Sequence, residues 1–399
     1  MTASVETPGL IPFGYELDED HRLLRDSIRE FAENEVLPGA SHRDIHGEFP
    51  REIIRKLGEM GYMGICVPEE FGGAGMDALS SCIVVEELSR CCAATGVIVS
   101  VQNSLVIDPI LKFASPEQKK KWLPRMARGE LLNCFSLSEA DSGSDAGAMK
   151  CRGTFKGDHW IIHGTKCWVT TGAEADAILL LCRTEDGDRR NASAFLLEKK
   201  TPGLTVGKHE DKLGIRASST TELVFDNVRL PPDALLGERG RGLGIALYAI
   251  GGGRLGIAAQ AIGIAQMALD KAAKYALTRR QFGRSLSEFQ AIQWKIADMA
   301  SRIAAARALL YKGAWAKDNR SDDLKWLGAM AKVYASRTAC LCADEAVQVL
   351  GGMGYCREEG VERLYRDAKI TEIYEGTSEM QRLAIAETLI ENPGRISAQ

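Results

Sequence analysis

Hydrophobic and polar residues change their spacing twice along the chain. Up to about residue 132, apolar residues recur every three or four positions, as in Leu24, Ile28 and Phe31, which predicts amphipathic helices. From there to about residue 243 the apolar runs are short and turn residues separate them, which predicts strands. The predicted strands include residues 159–162, 167–171, 177–181 and 222–225. Beyond them the pattern is again helical and rich in alanine, and predicts bundle-forming helices over 255–277, 289–315 and 323–350.

The order of these patterns predicts three domains. They are an N-terminal helical domain (residues 1–132), a middle β domain (133–243) and a C-terminal helical bundle domain (244–399). Strands that follow one another without intervening helices favour an antiparallel barrel or sandwich over a parallel, doubly wound sheet. The glycines of 237–244 do not indicate a dinucleotide-binding fold, because no buried strand leads into them. The expected fold class is therefore α+β, with several domains.

Composition and charge mainly exclude certain binding partners, metal sites and targeting segments. The chain has 399 residues, a formal net charge of −4 and a pI near 6.0, so nothing indicates binding to nucleic acid or to an anionic membrane surface. The 11 cysteines and 6 histidines lack the spacing of metal ligands. Residues 1–21 have no basic start with a continuous apolar run, and the most apolar stretch, 96–111, is broken by polar residues. We therefore expect a cytoplasmic protein with reduced thiols, no bound metal, no signal peptide and no membrane insertion.

Helical patterns also give local expectations. Ser115 followed by Pro116 has the chemistry of a helix start, with the hydroxyl as cap and proline in the first turn. Three tryptophans at helical positions, Trp294, Trp315 and Trp326, are interpreted as core residues.

Three segments carry candidate chemistry. Residues 137–145 (LSEADSGSD) interleave glycine with small hydroxyl residues, which suits either a loop that approaches a flat polar ligand or a plain turn. Residues 348–355 (QVLGGMGY) place three glycines after a helix, as a helix end with a tight turn would. In residues 373–381 (IYEGTSEMQ), Ser378 and Gln381 have the spacing of a capping box, so a helix is expected to begin just after Glu375. A carboxylate at such a junction is either a catalytic group or a surface acid.

Together these segments resemble the two signature regions of the acyl-CoA dehydrogenase family, and the resemblance runs from residue 17 to residue 391. LSEADSGSD matches the first signature, and residues 348–369 (QVLGGMGYCREEGVERLYRDAK) match the second. Three further motifs lie between them in the expected order: KCWVT at 166–170, KLGIR at 212–216 and RRQFG at 279–283. With GVIVSVQNSL at 96–105, the chain is most similar to the short-chain, butyryl-type branch.

The resemblance implies an N-terminal helical domain, a middle β domain, a C-terminal four-helix bundle, bound FAD, a homotetramer and electron transfer to electron-transfer flavoprotein, in fatty acid or amino acid catabolism. At FAD it places Phe135, Leu137, Ser138, Ser144, Trp168, Thr170, Arg279, Gln281, Phe282, Gln348, Gly351, Gly352, Thr377 and Glu379. At the acyl-CoA substrate it places Ser144, Gly251, Arg254, Tyr374 and Gly376. The residues of the RRQFG motif would reach the FAD of a neighbouring subunit, so activity would require the oligomer.

The resemblance also implies that Glu375 is the catalytic base. It would remove the α-proton of the thioester while the β-hydrogen leaves as hydride to flavin N5, giving the trans-2-enoyl-CoA. A flavin ribityl hydroxyl and the N–H of Glu375 would stabilise the developing enolate. Some members of the family instead carry the base near the positions of Gly251, Gly252 and Gly253, where this chain has glycine. The base is therefore assigned to Glu375.

The chain departs from the family pattern at a few positions. Gly251 stands where many members have aspartate, and Ala140 stands where proline usually follows the signature glutamate. Cys91 and Cys92 lie where the wall of the acyl pocket is expected. Gly96 replaces the arginine of decarboxylating glutaryl-CoA enzymes, which disfavours a dicarboxylic substrate. A short or branched acyl group is therefore expected.

Two alternatives stay open. The same fold could serve as a flavin oxidase or as an enoyl-CoA reductase, because the sequence fixes neither oxygen reactivity nor direction. A non-catalytic scaffold is the alternative from another class, and the presence of Glu375, Arg279 and Trp168 argues against it.

Overall fold

The computed structural model describes residues 17–184 and 191–391, so most of the segment used above to judge a signal peptide lies outside the described residues. The helices are α1 (Glu19–Phe31), α2 (Ala40–His46), α3 (Arg51–Glu59), α4 (Ala78–Cys91), α5 (Ala93–Ser100), α6 (Asp108–Phe113), α7 (Pro116–Ala127), α8 (Gly242–Thr278), α9 (Gln290–Asp318), α10 (Leu324–Leu350), α11 (Gly352–Tyr355), α12 (Val361–Ile370) and α13 (Ser378–Glu391). The strands are β1 (Asn133–Ser136), β2 (Arg152–Phe155), β3 (Trp160–Thr170), β4 (Ala177–Arg183), β5 (Ala192–Glu198), β6 (Leu204–His209), β7 (Thr220–Leu230), β8 (Leu235–Leu236), β9 (Arg280–Gln281) and β10 (Arg284–Ser285).

The middle region is one eight-stranded sheet in the order β6-β7-β3-β2-β4-β5-β8, with β1 beside β4. Its pairings are antiparallel except where β1 and β2 run parallel to β4. The runs 159–162 and 167–171, predicted as separate strands, belong to the single strand β3, which pairs with β7 through two register shifts. Such irregularities let a strand bend without losing its partner. The β character of this region is confirmed.

The C-terminal region is a bundle in which α8, α9, α10 and α13 pack on one another. The three predicted long helices are confirmed, but α8 begins at Gly242 instead of residue 255. Glycines 251–253 interrupt the apolar pattern, so the pattern did not predict the first turns of α8. Neighbouring side chains approach the helix backbone at Gly252 and Gly253, whereas Gly251 has open space beside it. Trp326 is buried as expected, whereas Trp294 and Trp315 are 64% and 58% exposed, so their interpretation as core residues is wrong.

The hydrophobic core has two main parts. Buried side chains from the N-terminal and C-terminal helices form one continuous cluster, while the outer face of the sheet has a second cluster around Trp160, Phe195 and Phe225. Two helical stretches, Ala93–Phe113 and Gly242–Thr278, are long and apolar enough to cross a bilayer by length and composition. Both are helices of this core, because 94% and 61% of their most apolar windows are buried in the protein itself.

Polar residues that break the apolar run 96–111 are hydrogen-bonded inside the core. Gln102 donates to the carbonyls of Met126 and Leu131, both at 3.1 Å, and accepts from Asn133 N at 2.9 Å. Asn103 accepts from Ile65 N at 3.0 Å. A π-helical segment, Val101–Ile107, presents these amides between α5 and α6. Gln102 thereby fixes the start of β1 against the helices.

Candidate active site

Glu375 lies on a short turn between α12 and α13. Its φ is 52° and that of Gly376 is 90°, so two consecutive residues have left-handed backbone. For glutamate this conformation costs energy and persists only where the surroundings enforce it. The following helix begins at Ser378, with the Thr377 hydroxyl accepting from Met380 N at 3.4 Å. The expected capping box at Ser378 is wrong: Gln381 donates back to Gly376 O at 2.8 Å instead.

The carboxylate of Glu375 points at the backbone of α8. Glu375 is half-buried as a residue, but both carboxylate oxygens are shielded from solvent and accept no hydrogen bond from any residue that the structure describes. A Cβ built on Gly253 would overlap Glu375 Oε2 and lie 2.8 Å from Leu105 Cδ2. The absence of a side chain at 253 therefore makes room for this carboxylate. A base at position 253 and one at 375 would occupy the same space.

Two cations lie near this carboxylate without bonding to it. Burial raises the pKa of Glu375 to about 7, and the positive charges of Lys332 and Arg254 hold it from rising further. Arg254 donates through Nη1 to Lys325 O at 2.9 Å, and its buried Nε finds no acceptor among the described residues. A carboxylate with a pKa near neutrality, free of hydrogen bonds, suits a general base.

A chain of hydrogen bonds closes one side of this site. The Tyr374 hydroxyl donates to Gln260 Oε1, and Gln260 Nε2 donates to Ala93 O at 2.9 Å. Gln260 is fully buried and lies two helical turns beyond Gly253 on α8. The expected wall residues Cys91 and Cys92 directly precede Ala93 and are also buried.

Gly96 does not face this site. A Cβ there would overlap Ser89 Oγ of α4 and lie 3.2 Å from Val85 O, so an arginine at 96 is sterically excluded in this packing. Gly251 is half-buried on α8, with open space where a side chain would be.

The first group of candidate FAD residues lies where β1 and β3 meet. A buried ion pair, Lys166 Nζ to Glu139 Oε1 at 2.8 Å, joins the LSEADSGSD and KCWVT motifs. Cys167 N donates to Ser138 O at 2.9 Å alongside it. Trp168 has a φ of 54° and is 54% exposed, so an apolar ring face stands out from the sheet. Phe135, Leu137, Ser138 and Thr170 occupy the same two strands or their ends, while Ser144 is exposed on the loop that follows. A flat ring system with polar edges fits this surface.

The second group lies at the opposite end of the bundle. Arg279, Gln281 and Phe282 belong to the exposed β9–β10 hairpin after α8, and Phe282 is 93% exposed. Gln348, Gly351 and Gly352 lie at the end of α10, with open space beside both glycines. From Gly253 to Thr278, α8 rises by about 38 Å at 1.5 Å per residue. These candidates therefore lie far along the bundle from Glu375 of the same chain.

The remaining candidates surround Glu375. Thr377 caps α13, Gly376 and Tyr374 flank the carboxylate, and Glu379 is exposed on the first turn of α13. The KLGIR motif packs against another element. Gly214 of KLGIR touches the α12 backbone, where a Cβ would lie 2.5 Å from Arg366 O.

Sequence reasoning missed two polar residues of this site, Lys332 and Gln260. Both are fully buried among alanines and small residues of the long helices. A lone polar residue on an otherwise apolar helical face was the only available indication, and it is weak without the fold.

Comparison with known proteins agrees with this architecture. Family models described as the N-terminal, middle and C-terminal domains of acyl-CoA dehydrogenase match residues 18–130, 134–228 and 240–390. The mitochondrial short-chain specific acyl-CoA dehydrogenase of Bos taurus is 50% identical over 378 residues, covering 94% of this chain and 92% of the relative.

Solved structures agree as well. Butyryl-CoA dehydrogenase from Megasphaera elsdenii has a TM-score of 0.92 at 39% identity, covering 94% of this chain and 99% of that one. A chain solved in work on the electron-transferring flavoprotein of Acidaminococcus fermentans has a TM-score of 0.93 at 43% identity, with coverage of 94% and 99%. A Bacillus anthracis acyl-CoA dehydrogenase complexed with FAD has a TM-score of 0.89 at 33% identity, with coverage of 95% and 68%. This chain therefore belongs to the acyl-CoA dehydrogenase family of FAD-dependent oxidoreductases.

Proposed function

We propose that this enzyme dehydrogenates short-chain acyl-CoA thioesters between the α and β carbons, with Glu375 as the base that removes the α-proton. The observation that carries the proposal is the Glu375 carboxylate, which is shielded from water, accepts no hydrogen bond from the described residues and has its pKa raised by burial to about 7. Such a group is ionised often enough near neutral pH to accept a proton and basic enough to keep it.

Other groups of the chain are assigned to charge stabilisation and substrate binding. When bound, FAD accepts the β-hydrogen as hydride. The backbone N–H of Glu375 is the donor we assign to the thioester oxygen, where negative charge develops as the α-proton leaves. Arg254, whose buried Nε has no acceptor among the described residues, stabilises the ionised form of Glu375 and is assigned to substrate binding. Gly251 has open space beside its backbone, and Gly251, Gly376 and the exposed Ser144 are assigned to the thioester arm.

A short acyl chain is supported by the hydrogen bonds from Tyr374 through Gln260 to Ala93. A longer chain would have to displace these buried groups and leave them unpaired, which costs about 1–3 kcal/mol for each group. The bovine relative is described as short-chain specific, which agrees with this assignment.

Anaerobic titration of the purified enzyme with acyl-CoAs of increasing length tests the proposal. We expect full bleaching of the flavin by butyryl-CoA and progressively less by octanoyl- and palmitoyl-CoA. Gln260→Ala, which removes the closing amide, should extend the accepted length. Equal bleaching by palmitoyl-CoA in the wild-type enzyme would contradict the short-chain assignment. Peroxide formed without an added acceptor would favour the oxidase alternative.

We further propose that FAD binds between copies of the chain in a homotetramer. Phe135, Leu137, Ser138, Trp168, Thr170, Thr377 and Glu379 would serve the FAD next to Glu375 of their own chain. Arg279, Gln281, Phe282, Gln348, Gly351 and Gly352 would serve the FAD of a neighbour, because they stand at the far end of the bundle. The exposed face of α9 supports association: it presents Trp294 and small residues over which a second helix could approach closely. Sedimentation equilibrium tests this, with a tetramer expected and a monomer that retains FAD contradicting it.

Electron-transfer flavoprotein is the acceptor we propose, on the family resemblance. We also propose a cytoplasmic location for this chain, whereas the bovine relative is described as mitochondrial. Reduction of purified electron-transfer flavoprotein by the butyryl-CoA-reduced enzyme is the direct test of the acceptor. No reduction by an enzyme that bleaches normally would contradict it.

A further inference from the structure

Lys332 connects α10 to the turn that carries Glu375. Its side chain is fully buried, and its Nζ donates to Tyr374 O at 2.8 Å and to Gly376 O. These are the carbonyls immediately before and after Glu375. A single ammonium therefore bonds to both sides of the residue that we assign as the base.

These two bonds act on a backbone that needs support. Glu375 and Gly376 both have positive φ, which directs the carboxylate toward Gly253. Strained conformations of this kind persist only when surrounding contacts fix them. Gln381 provides a second anchor, donating to Glu375 O at 3.3 Å and Gly376 O at 2.8 Å. The turn is thus held from α10 by a charged group and from α13 by a neutral one.

The same ammonium also acts on the charge of Glu375. Its positive charge is the largest influence opposing the rise in the pKa of Glu375, ahead of Arg254 on α8. Burial lowers the pKa of Lys332 itself to about 8, and Glu372 and Glu379 also face it. Because its hydrogen bonds go to carbonyls, the ammonium favours the carboxylate without occupying the oxygens that must accept a proton.

We infer that Lys332 is a positioning residue that holds the Glu375 turn and keeps Glu375 ionised near neutral pH. The inference rests on the proposed role of Glu375 as base. Lys332 thus sets both the geometry and the protonation state of that base, whereas Gln381 acts on its geometry alone.

Proton removal can be measured apart from dehydrogenation with acetyl-CoA, which has an α-methyl group but no β-carbon. Exchange of its α-protons in D2O, followed by NMR across pH 5–9 with the FAD-loaded enzyme, reports the base alone. For Lys332→Met we expect slower exchange at every pH, because the turn loses two hydrogen bonds. We also expect the acidic limb of the pH profile to move up by about one to two pH units, which by itself is about 5- to 50-fold slower exchange at pH 7. Lys332→Gln, which keeps a neutral N–H donor group on a shorter side chain, should show the same shift.

Two further variants distinguish a wrong role for Lys332 from a wrong assignment of the base. Gln381→Leu removes the neutral anchor, so exchange should slow at every pH while the acidic limb stays in place. Acidic limbs of both Lys332 variants that coincide with the wild-type limb, or exchange lost at every pH with FAD retained, would overturn the inference. Wild-type exchange in Glu375→Gln would instead show that the base is another group, whatever Lys332 does.

Discussion

Gly253→Ala tests whether the space beside α8 is reserved for the Glu375 carboxylate. The added Cβ overlaps Glu375 Oε2 and lies 2.8 Å from Leu105 Cδ2, whereas carbon atoms in contact are normally about 3.5–4.0 Å apart. The carboxylate must therefore move by more than about 1 Å, a displacement that can cost about 100-fold in rate. Alanine is otherwise favoured over glycine in a helix by about 1 kcal/mol. We expect a protein that folds as well as the wild type and reacts about 100-fold more slowly.

Stopped-flow bleaching of the flavin by butyryl-CoA gives the rate, and urea unfolding gives the stability. Gly244→Ala is the matched control: it lies on the same helix with nothing within 4 Å of the added Cβ. It should gain up to about 1 kcal/mol in stability and keep its rate. A Gly253→Ala enzyme that bleaches within twofold of the wild-type rate would refute the reasoning.

Three other predictions follow from the charges and exposed residues. Because burial raises the pKa of Glu375 from 4.5 to about 7, its ionisation destabilises the fold increasingly as pH rises between these values, by up to about 3 kcal/mol. Glu375→Gln should therefore match wild-type stability near pH 4 and exceed it at pH 8, and equal urea midpoints at pH 8 would contradict this. Lys166→Met leaves Glu139 buried without its partner and should lower stability by about 3–5 kcal/mol; a change in the thermal midpoint of under 2 °C would argue against it. Phe282→Ala and Arg279→Ala should each weaken FAD retention on gel filtration. The free energy of unfolding should stay within about 0.5 kcal/mol of the wild-type value, because both side chains are exposed. Full FAD retention in both variants would count against a shared FAD site.

Much of the fold could be predicted because its determinants are local in the sequence. Ser115 was expected to start a helix, and its capping box with Gln118 is present, since Pro116 fixes the register. Ser378 had the same spacing but does not cap α13. Thr377 stands next to it with an equivalent hydroxyl, and Gln381 is held by the carbonyls of the turn. Which hydroxyl caps the helix was decided by the tertiary bonds of the Glu375 turn.

The parts that escaped prediction depend on contacts between distant segments. The glycines of α8 interrupt its apolar pattern, and the steric reason for Gly253 appears only when Glu375, 122 positions later, is packed against it. Lys332 was given no role from the sequence, because its two carbonyl acceptors come from the distant turn before α13. Family motifs located Glu375, but only the packing explains why its carboxylate is unpaired.

The Glu375→Gln enzyme, mixed anaerobically with butyryl-CoA in a stopped-flow spectrophotometer, tests the central claim most directly. The substitution keeps the shape of the side chain and removes its basicity. We predict a yellow protein that retains FAD and binds the thioester but bleaches about 100- to 10,000-fold more slowly than the wild type. Bleaching within tenfold of the wild-type rate would show that Glu375 is not the base.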